Sequence, residues 1–428
     1  MKNLAILTIV ILFTRCEPIP SQSTSVEKKM IFDNYEYEEI VGATQLIPSE
    51  NGEPALLENP VVELNDNQTL NLQFDLVTEK FEYLAIKIYH CNKDWTKSIL
   101  RDMEFLNDIN TFRITEYDFS LNTNPSYINY RFQVPKPAIS GNFILSVHRR
   151  GNPNDILFNR KFLVVRNQSI IEQQVRLSTT VSKRDENHQI DFSVNYGNIQ
   201  ANNPTQDLSI VLLQNHRWQD ARKNLKPSII RPNDNYMEFR LLTLDNNFPG
   251  WNEFRFFDLR TLSVTGRNVR NISKLPNGSI QALLGLDQQR EMVYTQNLRD
   301  VNGNFILQNN DPGDVSLNAD YANVNFYLKS DEYKGKVYVI GRFNNWNLED
   351  DNIMRYDKSS GIYSTSMRLK QGYYDYHYLV DAVNVEPYVL ERSHFQAEND
   401  YEILVYYRKP GNVNDELIGY KKFNSRAN

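Results

Sequence analysis

The stretch of residues 337–379, VYVIGRFNNWNLEDDNIMRYDKSSGIYSTSMRLKQGYYDYHYL, decides the fold class of this 428-residue chain. Its first residues, Val337–Ile340, form a short apolar run, and a polar turn that carries Trp346 follows. The runs Ile362–Leu369 and Tyr373–Leu379 then place side chains alternately on two faces, as β-strands do. The stretch therefore predicts a module of short strands joined by polar turns.

The same period of two recurs toward the N-terminus. Alternating apolar side chains mark strands in Leu70–Asp75, Leu84–Tyr89, Phe143–Val147 and Ile190–Val194, and no apolar pattern with a helical period reaches helix length. The breaker cluster Asp311-Pro312-Gly313 indicates a boundary. We predict an all-β fold of three consecutive immunoglobulin-like β-sandwiches at residues 41–167, 168–312 and 313–428, with fewer than about one residue in ten in helix.

The N-terminus has the pattern of an export signal. Leu4–Phe13 is mostly apolar; it is too short for a bilayer span of about 20 residues but typical of the apolar part of a signal. We predict that residues 1–16 are this signal and residues 17–40 a polar tether. Cys16 stands where bacterial lipoproteins carry lipid, whereas Arg15 fits the processing site poorly. We therefore expect export, and the sequence leaves lipidation of Cys16 open.

Composition and motifs exclude several classes of function. The net charge of −6 argues against nucleic-acid binding. Nucleophile-elbow, zinc-protease, dinucleotide-binding, P-loop and EF-hand spacings are missing, so we predict no enzymatic activity, cofactor, metal or small-molecule substrate. Cys91 is the only cysteine beyond the predicted signal, which rules out an intramolecular disulfide. We predict that Cys91 is a core residue and that its neighbour His90, on the opposite strand face, is hydrogen-bonded.

The turn that carries Trp346 resembles the early-set sandwich modules that accompany glycogen- and starch-active enzymes. In such modules an exposed tryptophan stacks on a sugar with the help of a lysine and a second aromatic residue. This chain has His377 where the lysine is expected, and residues 380–384 lack the second tryptophan. We therefore interpret Trp346 as a packing residue of a third sandwich that resembles this module.

Two groups of residues are candidates for contacts with a protein partner. Four arginines concentrate positive charge on one predicted hairpin of an acidic chain; they form either a solvent-facing strand face or a docking surface, since arginine is enriched at interfaces. Loops around three tryptophans are the other candidates. The residues are Arg255, Arg260, Arg267 and Arg270, and Trp95, Trp251 and Trp346.

Several idiosyncratic motifs occur in order along the chain. They include YHCNKDWTKSILRDMEFL (Tyr89–Leu106), VLLQNHRW (Val211–Trp218), NEFRFFDLR (Asn252–Arg260), ADYANVNFYL (Ala319–Leu328) and ERSHFQAENDYEILVYYR (Glu391–Arg408). The series resembles the periplasmic plug proteins of the bacterial type IX secretion system, found in the Bacteroidetes lineage. It covers nearly all of the chain beyond the predicted signal.

The resemblance implies a non-enzymatic protein of the periplasm, associated with the outer membrane. Such a protein reversibly occludes the periplasmic opening of the translocon barrel, which is the implied partner, and it touches the membrane only through a possible lipid on Cys16. Reversible binding predicts a polar contact of about 1,200–2,000 Å². The alternatives are a glycan-binding surface lipoprotein that uses the Trp346 module and a non-catalytic remnant of a glycan-active enzyme.

Overall fold

The computed structural model describes residues 27–294, 296, 300–311 and 313–426. Strands account for 46% of it and helices for 6%, which confirms the prediction of an all-β fold with little helix. The described α-helices are the single turns α1 (Asp102–Phe105), α2 (Pro204–Asp207) and α3 (Val315–Asn318); 3₁₀ turns lie at Val181–Lys183, Pro232–Asp234, Arg342–Asn344 and Asp350–Asn352. The predicted export signal, with Cys16, lies outside the described residues.

The N-terminal sandwich contains the first eleven strands. They are β1 (Tyr35–Glu36), β2 (Val41–Glu50), β3 (Glu53–Pro54), β4 (Val61–Glu63), β5 (Thr69–Leu76), β6 (Leu84–Cys91), β7 (Phe112–Arg113), β8 (Glu116–Phe119), β9 (Ile128–Val134), β10 (Gly141–Arg149) and β11 (Ile156–Val165). One sheet has the order β1-β11-β10-β6-β7, with β4 parallel to β11, and the other has the order β3-β2-β5-β9-β8. Their facing side chains form one hydrophobic core.

Side-chain alternation explains how this core forms. In β5, Leu70, Leu72 and Phe74 are buried, while Asn71 and Gln73 between them are half-buried. The first sheet differs, because every residue of β11 is buried. Its outer face is covered by another part of the chain, so it lies in the interior of the molecule.

The remaining strands form two further modules. They are β12 (Ile170–Leu177), β13 (Asn187–Asn195), β14 (Leu208–Gln214), β15 (Arg222–Lys223), β16 (Ile229–Arg231), β17 (Tyr236–Phe239), β18 (Asn247–Pro249), β19 (Arg255–Asp258), β20 (Val269–Lys274), β21 (Ile280–Gln288), β22 (Phe305–Leu307), β23 (Tyr321–Lys329), β24 (Gly335–Ile340), β25 (Ile353–Asp357), β26 (Ile362–Lys370), β27 (Gly372–Ala382), β28 (Asp400–Tyr407) and β29 (Glu416–Asn424).

The middle sandwich is discontinuous in sequence. One of its sheets has the order β12-β13-β17-β16, with β18 beside β13, and the other has the order β15-β14-β28-β29. The antiparallel pair β14 and β28 places Leu212 opposite Ile403, and both side chains enter the core between the two sheets. The last two described strands therefore complete a sandwich that the chain began more than two hundred residues earlier.

The third module is inserted between β18 and β28. Its nine strands follow the path β19-β27-β24-β25-β26-β23-β21-β20, with β22 beside β27. A core that includes Phe257, Phe326 and Tyr378 lies inside it. The opening sequence stretch supplies β24–β27, of which β25 (Ile353–Asp357) was not predicted.

The boundary predicted at residue 312 does not separate the sheets. β19 pairs with β27, and β21 runs parallel to β23, so strands from both sides of residue 312 share one sheet. Pro312 lies outside the described residues, while its neighbours Asp311 and Gly313 belong to the connection between β22 and β23. A breaker cluster marks a turn, and here the turn is inside a module.

The prediction of a free tether up to residue 40 is wrong for its described part. β1 pairs with β11, and the side chains of Met30 and Phe32 pack against a hydrophobic cluster. The Lys28 ammonium also forms an ion pair with Asp155, with a distance of 3.3 Å. The chain is attached to the N-terminal sandwich from about residue 28 onward.

Candidate functional site

The three candidate tryptophans are all buried. Trp95 is 6% exposed, Trp251 0% and Trp346 3%. All three have positive φ values, 67°, 57° and 61°, in a region of the backbone map that bulky residues rarely occupy. The indoles are therefore held inside the fold. The loops that carry Trp95 and Trp346 have exposed residues and remain candidates for a partner contact, whereas residues 250–254 around Trp251 are buried.

Trp95 belongs to the junction between the N-terminal and middle sandwiches. Its ring meets Trp218 edge to face, with the ring centres 4.8 Å apart, and the Lys161 ammonium lies 4.7 Å from the centre of the Trp95 ring. Burial lowers the pKa of Lys161, and Asp33, 2.7 Å from its Nζ atom, offsets this in part. Val211 and Leu404 of the middle sandwich extend the same apolar cluster.

The neighbours His90 and Cys91 point into different cores, as adjacent strand residues should. Cys91 belongs to the junction cluster, and burial raises the pKa of its thiol to about 12. His90 packs against Phe105 and Phe143, and burial lowers its pKa to about 4. Neither ring nitrogen of His90 has a hydrogen-bond partner among the described residues, so the predicted hydrogen bond to His90 is wrong.

Trp251 and Trp346 form a second junction with an arginine of the middle sandwich. The guanidinium carbon of Arg217 lies 4.7 Å from the ring centre of Trp251, 5.0 Å from that of Trp346 and 5.3 Å from that of Tyr388. The Arg217 side chain is buried, and its nearest carboxylate is that of Asp220, at 3.7 Å. Cation–π attraction in a desolvated site is worth about 2 kcal/mol, so this cluster fixes the third module against the middle sandwich.

This arrangement removes the basis of the glycan-binding alternative. A sugar platform needs an exposed aromatic face, but Trp346 is packed against Arg217, Phe254 and the tip of the turn at Gly303. His377, at the position where a lysine was expected, stacks on Phe254 with ring centres 3.9 Å apart. Both side chains serve packing.

A third junction joins the N-terminal sandwich to the third module through a buried ion pair. Lys370 Nζ lies 2.7 Å from Asp75 Oδ2, and the Tyr321 hydroxyl donates to the same oxygen at 2.6 Å. Asn129 donates to the other carboxylate oxygen at 2.8 Å, and the Lys370 ammonium lies 4.2 Å from the centre of the Tyr127 ring. Removing one partner of such a pair costs about 3–5 kcal/mol, so the junction resists separation.

All three modules meet around Glu402. His216 Nδ1 and the Tyr420 hydroxyl contact its carboxylate at 3.0 Å and 2.9 Å. Asn59 of the N-terminal sandwich donates to the Tyr420 hydroxyl at 3.3 Å and accepts a hydrogen bond from Arg342 of the third module. A polar network therefore runs through the point where the modules converge.

The four candidate arginines occupy different environments. Arg255 is paired in the interior: its Nε lies 3.0 Å from Glu391 and its Nη1 3.0 Å from Asp287. Burial opposes ionisation of Glu391, but Arg255 and Arg290 hold its pKa at about 2. Arg255 is thus a structural residue of the third module.

The other three arginines lie nearer the surface. Arg260 pairs with Asp258 at 2.7 Å, and Arg267 and Arg270 are exposed. The hairpin predicted to carry all four is not formed by paired strands, because β19 pairs with β27 and β20 with β21. Two backbone segments still meet there, since the Asp258 amide donates to the Arg267 carbonyl. Arg267 and Arg270 remain candidates for a partner contact.

Sequence reasoning missed most of the junction residues. Arg217 lies within the quoted motif VLLQNHRW, and Glu402 lies within ERSHFQAENDYEILVYYR, which also contains Glu391 of the third-module interior. The unusual polar residues in these motifs were a signal, but their partners are distant in the sequence. Asp75 and Lys370 gave no signal beyond being polar residues of strands.

The described part of the chain contains few features of other functional classes. Within it, no helix is long and apolar enough to cross a membrane. It also contains no group of three or more histidine, cysteine, aspartate or glutamate residues that could hold a metal ion. The fold and its junctions define a class: an all-β protein of interlocked modules whose unusual polar residues hold the modules together.

A comparison with known proteins relates the first domain of this chain to a family. Residues 41–166 match the family model for the type 9 secretion system plug protein 1st domain. The match supports the type IX secretion system plug protein family for this chain and confirms the resemblance found in the sequence. This family is a non-enzymatic component of the secretion system; it implies a location in the cell envelope and association with other components of that system.

Structural similarity extends over most of the chain. The crystal structure of a hypothetical protein from Parabacteroides merdae is 28% identical, with a TM-score of 0.86, and the match covers 92% of this chain and 100% of that one. Trypsin-activated alpha-2-macroglobulin from Escherichia coli is 10% identical over 90% of this chain and 24% of its own, and its TM-score of 0.16 indicates no similarity in overall fold. Comparison with curated proteins gives no match.

Proposed function

We propose that this protein is a periplasmic plug that reversibly occludes the periplasmic opening of the outer-membrane translocon barrel of the type IX secretion system. The observation that carries the proposal is the match of residues 41–166 to the first domain of the plug family. A barrel wide enough for folded cargo would leak solutes when idle. Its closure needs a protein body that does not deform.

The three junctions support this role because they make the modules one body. A hydrophobic cluster joins the N-terminal and middle sandwiches, Arg217 joins the middle sandwich to the third module, and the Asp75–Lys370 pair joins the third module to the first. Each module therefore contacts both others through buried side chains. In such a closed arrangement, a module cannot move away without breaking buried contacts to both of the others.

The contact with the barrel must be reversible, since cargo has to displace the plug. We expect a polar interface of about 1,200–2,000 Å² in total. The exposed Arg267 and Arg270 and the loops that carry Trp95 and Trp346 are candidates for it, whereas residues 250–254 around Trp251 are buried.

Affinity capture from outer-membrane extracts tests the proposal. The tagged wild-type protein is expected to recover the translocon barrel, and the double variant Arg267→Glu/Arg270→Glu to recover less of it. Lys334→Glu, at an exposed site of the same module, is the matched control and should behave as wild type. Failure of the wild-type protein to recover the barrel would contradict the assignment.

A further inference from the structure

One edge of the N-terminal sandwich leaves aromatic side chains uncovered. Tyr83 is 67% exposed, Phe119 50% and Tyr117 39%. The rings are contiguous: the centre of the Phe81 ring lies 4.8 Å from that of Tyr83 and 4.5 Å from that of Tyr117, which lies 6.1 Å from that of Phe119. We call Phe81, Tyr83, Tyr117 and Phe119 the aromatic edge.

The aromatic edge is an uncovered continuation of the core. β8 is the last strand of its sheet, and it places Tyr117 opposite Tyr130 and Phe119 opposite Ile128. Residues directly opposite each other share a face of the sheet, and Tyr130 and Ile128 belong to the core. The facing sheet ends in the two-residue strand β7, so it does not extend over β8.

The described chain begins beside this edge. Lys28 Nζ lies 3.3 Å from Asp155, Asp155 contacts Arg149 at 3.1 Å, and Arg149 contacts Glu82 at 3.1 Å, next to Tyr83. Cys16, the predicted lipid attachment point, lies eleven residues before Glu27. That length of chain reaches about 40 Å at most when fully extended, so a lipid on Cys16 would keep this end of the sandwich close to a membrane.

We propose that the aromatic edge docks on the surface of a lipid bilayer, with its rings at the level of the headgroups. Tyrosine, which is amphipathic, concentrates at membrane–water interfaces, and phenylalanine supplies apolar area that enters the boundary between headgroups and acyl chains. A strand added to β8 is the competing occupant, but β8 is only four residues long, and very short edge strands are poor templates for pairing. The proposal rests on the proposed function only in that it supplies the membrane.

Charge contributes little to this docking. The exposed charged residues close in sequence to the aromatic edge and to the first described residues balance in number: the basic ones are Lys29, Lys80, Arg113 and Arg150, and the acidic ones are Glu27, Glu39, Glu79 and Glu116. We therefore expect binding to depend on the rings and to change little with the share of anionic lipid or with salt. Binding confined to anionic vesicles would contradict docking by the aromatic edge.

Flotation of residues 17–428 with vesicles of phosphatidylethanolamine and phosphatidylglycerol tests the proposal without any lipid on Cys16. The variant Tyr83→Ser/Phe119→Ser is expected to partition about tenfold more weakly than wild type, because exposed apolar area is lost. Leu242→Ser, 83% exposed in the middle sandwich, is the matched control and should keep wild-type partition. Equal urea midpoints show that all variants fold.

A fluorescent reporter identifies the docking face. The four native tryptophans are at most 8% exposed, so Tyr83→Trp adds the one strongly exposed indole. Its emission should shift to shorter wavelength on vesicles, whereas that of Leu242→Trp should not. The proposal is overturned if the emission of Tyr83→Trp does not shift on vesicles, or if the variant Tyr83→Ser/Phe119→Ser partitions as strongly as wild type. It is also overturned if that serine variant no longer captures the barrel, because a protein would then cover the aromatic edge. Barrel capture by the wild-type protein reports separately on the proposed function.

Discussion

At the scale of single residues, Trp346 shows how one side chain can suggest two functions. Its turn resembles a sugar-binding loop, but its backbone, with φ at 61°, directs the indole inward onto Arg217. This chain has His377 where the sugar-binding modules have a lysine, and the His377 ring stacks on Phe254, which also contacts Trp346. The lack of the lysine and the second tryptophan of a sugar-binding module therefore indicated the packing role better than Trp346 itself did.

The packing role predicts a stability effect for Trp346→Ala. Removal of a buried tryptophan costs about 3–5 kcal/mol of unfolding free energy, and urea unfolding measures it. Leu348→Ala, at a 45% exposed site in the same turn, should stay within about 0.5 kcal/mol of wild type. Titration calorimetry with maltoheptaose should show no heat for any of the three proteins. Sugar binding that Trp346→Ala abolishes would revive the glycan alternative.

The buried histidines predict a loss of stability in acid. Burial lowers the pKa of His90 and of His188 to about 4, from about 6.5 in the unfolded chain. Folding therefore keeps both neutral, and the stability that this contributes is present above pH 6.5 and declines as the pH falls toward 4.

The variant His90→Leu tests the size of this effect. It removes one titrating group that lacks a hydrogen bond, so its loss of stability between pH 7 and 4 should be smaller by up to about 3 kcal/mol. Urea midpoints at several pH values give the comparison. A variant whose stability falls as steeply as that of wild type would show that His90 is not the group responsible.

At the scale of elements, strands were predictable where the period of two is local, as in β5 and β13. Their pairing into modules was not, because Leu212 lies opposite Ile403, 191 residues later in the chain. Nothing near β14 in the sequence identifies that partner. The boundary predicted at residue 312 lies inside the inserted third module, because turn residues mark reversals of the chain and not the ends of modules. The contacts of the junction side chains could not be predicted either, because they form only after these distant strands have paired.

The insertion predicts which shortened chains fold. The Asn399 side-chain amide donates to the Gly250 carbonyl at 2.7 Å, so the two ends of the insertion are adjacent. A chain in which a short glycine-serine linker replaces residues 251–398 should keep both sandwiches. A chain ending at residue 311 lacks β28 and β29 and should lose the middle one. Limited proteolysis with near-ultraviolet circular dichroism distinguishes them, and a protease-resistant middle sandwich in the chain ending at 311 would disprove the insertion.

At the scale of the whole molecule, the three junctions close a ring of contacts among the modules. Each junction buries an aromatic or charged cluster, and the Glu402 network adds a polar centre where the modules meet. Motifs such as VLLQNHRW thus have a structural meaning that the sequence alone did not give. They hold the modules together as one body, which the proposed closure of a wide pore requires.

Deletion of this protein tests the plug assignment most directly. Without a plug, an idle translocon barrel should admit large antibiotics such as vancomycin, while secretion continues because cargo displaces the plug in any case. We predict increased vancomycin sensitivity in the deletion strain, and parental sensitivity when the translocon barrel is deleted as well, because the leak runs through that barrel. A deletion strain no more sensitive than its parent, with the barrel present, would contradict the plug function.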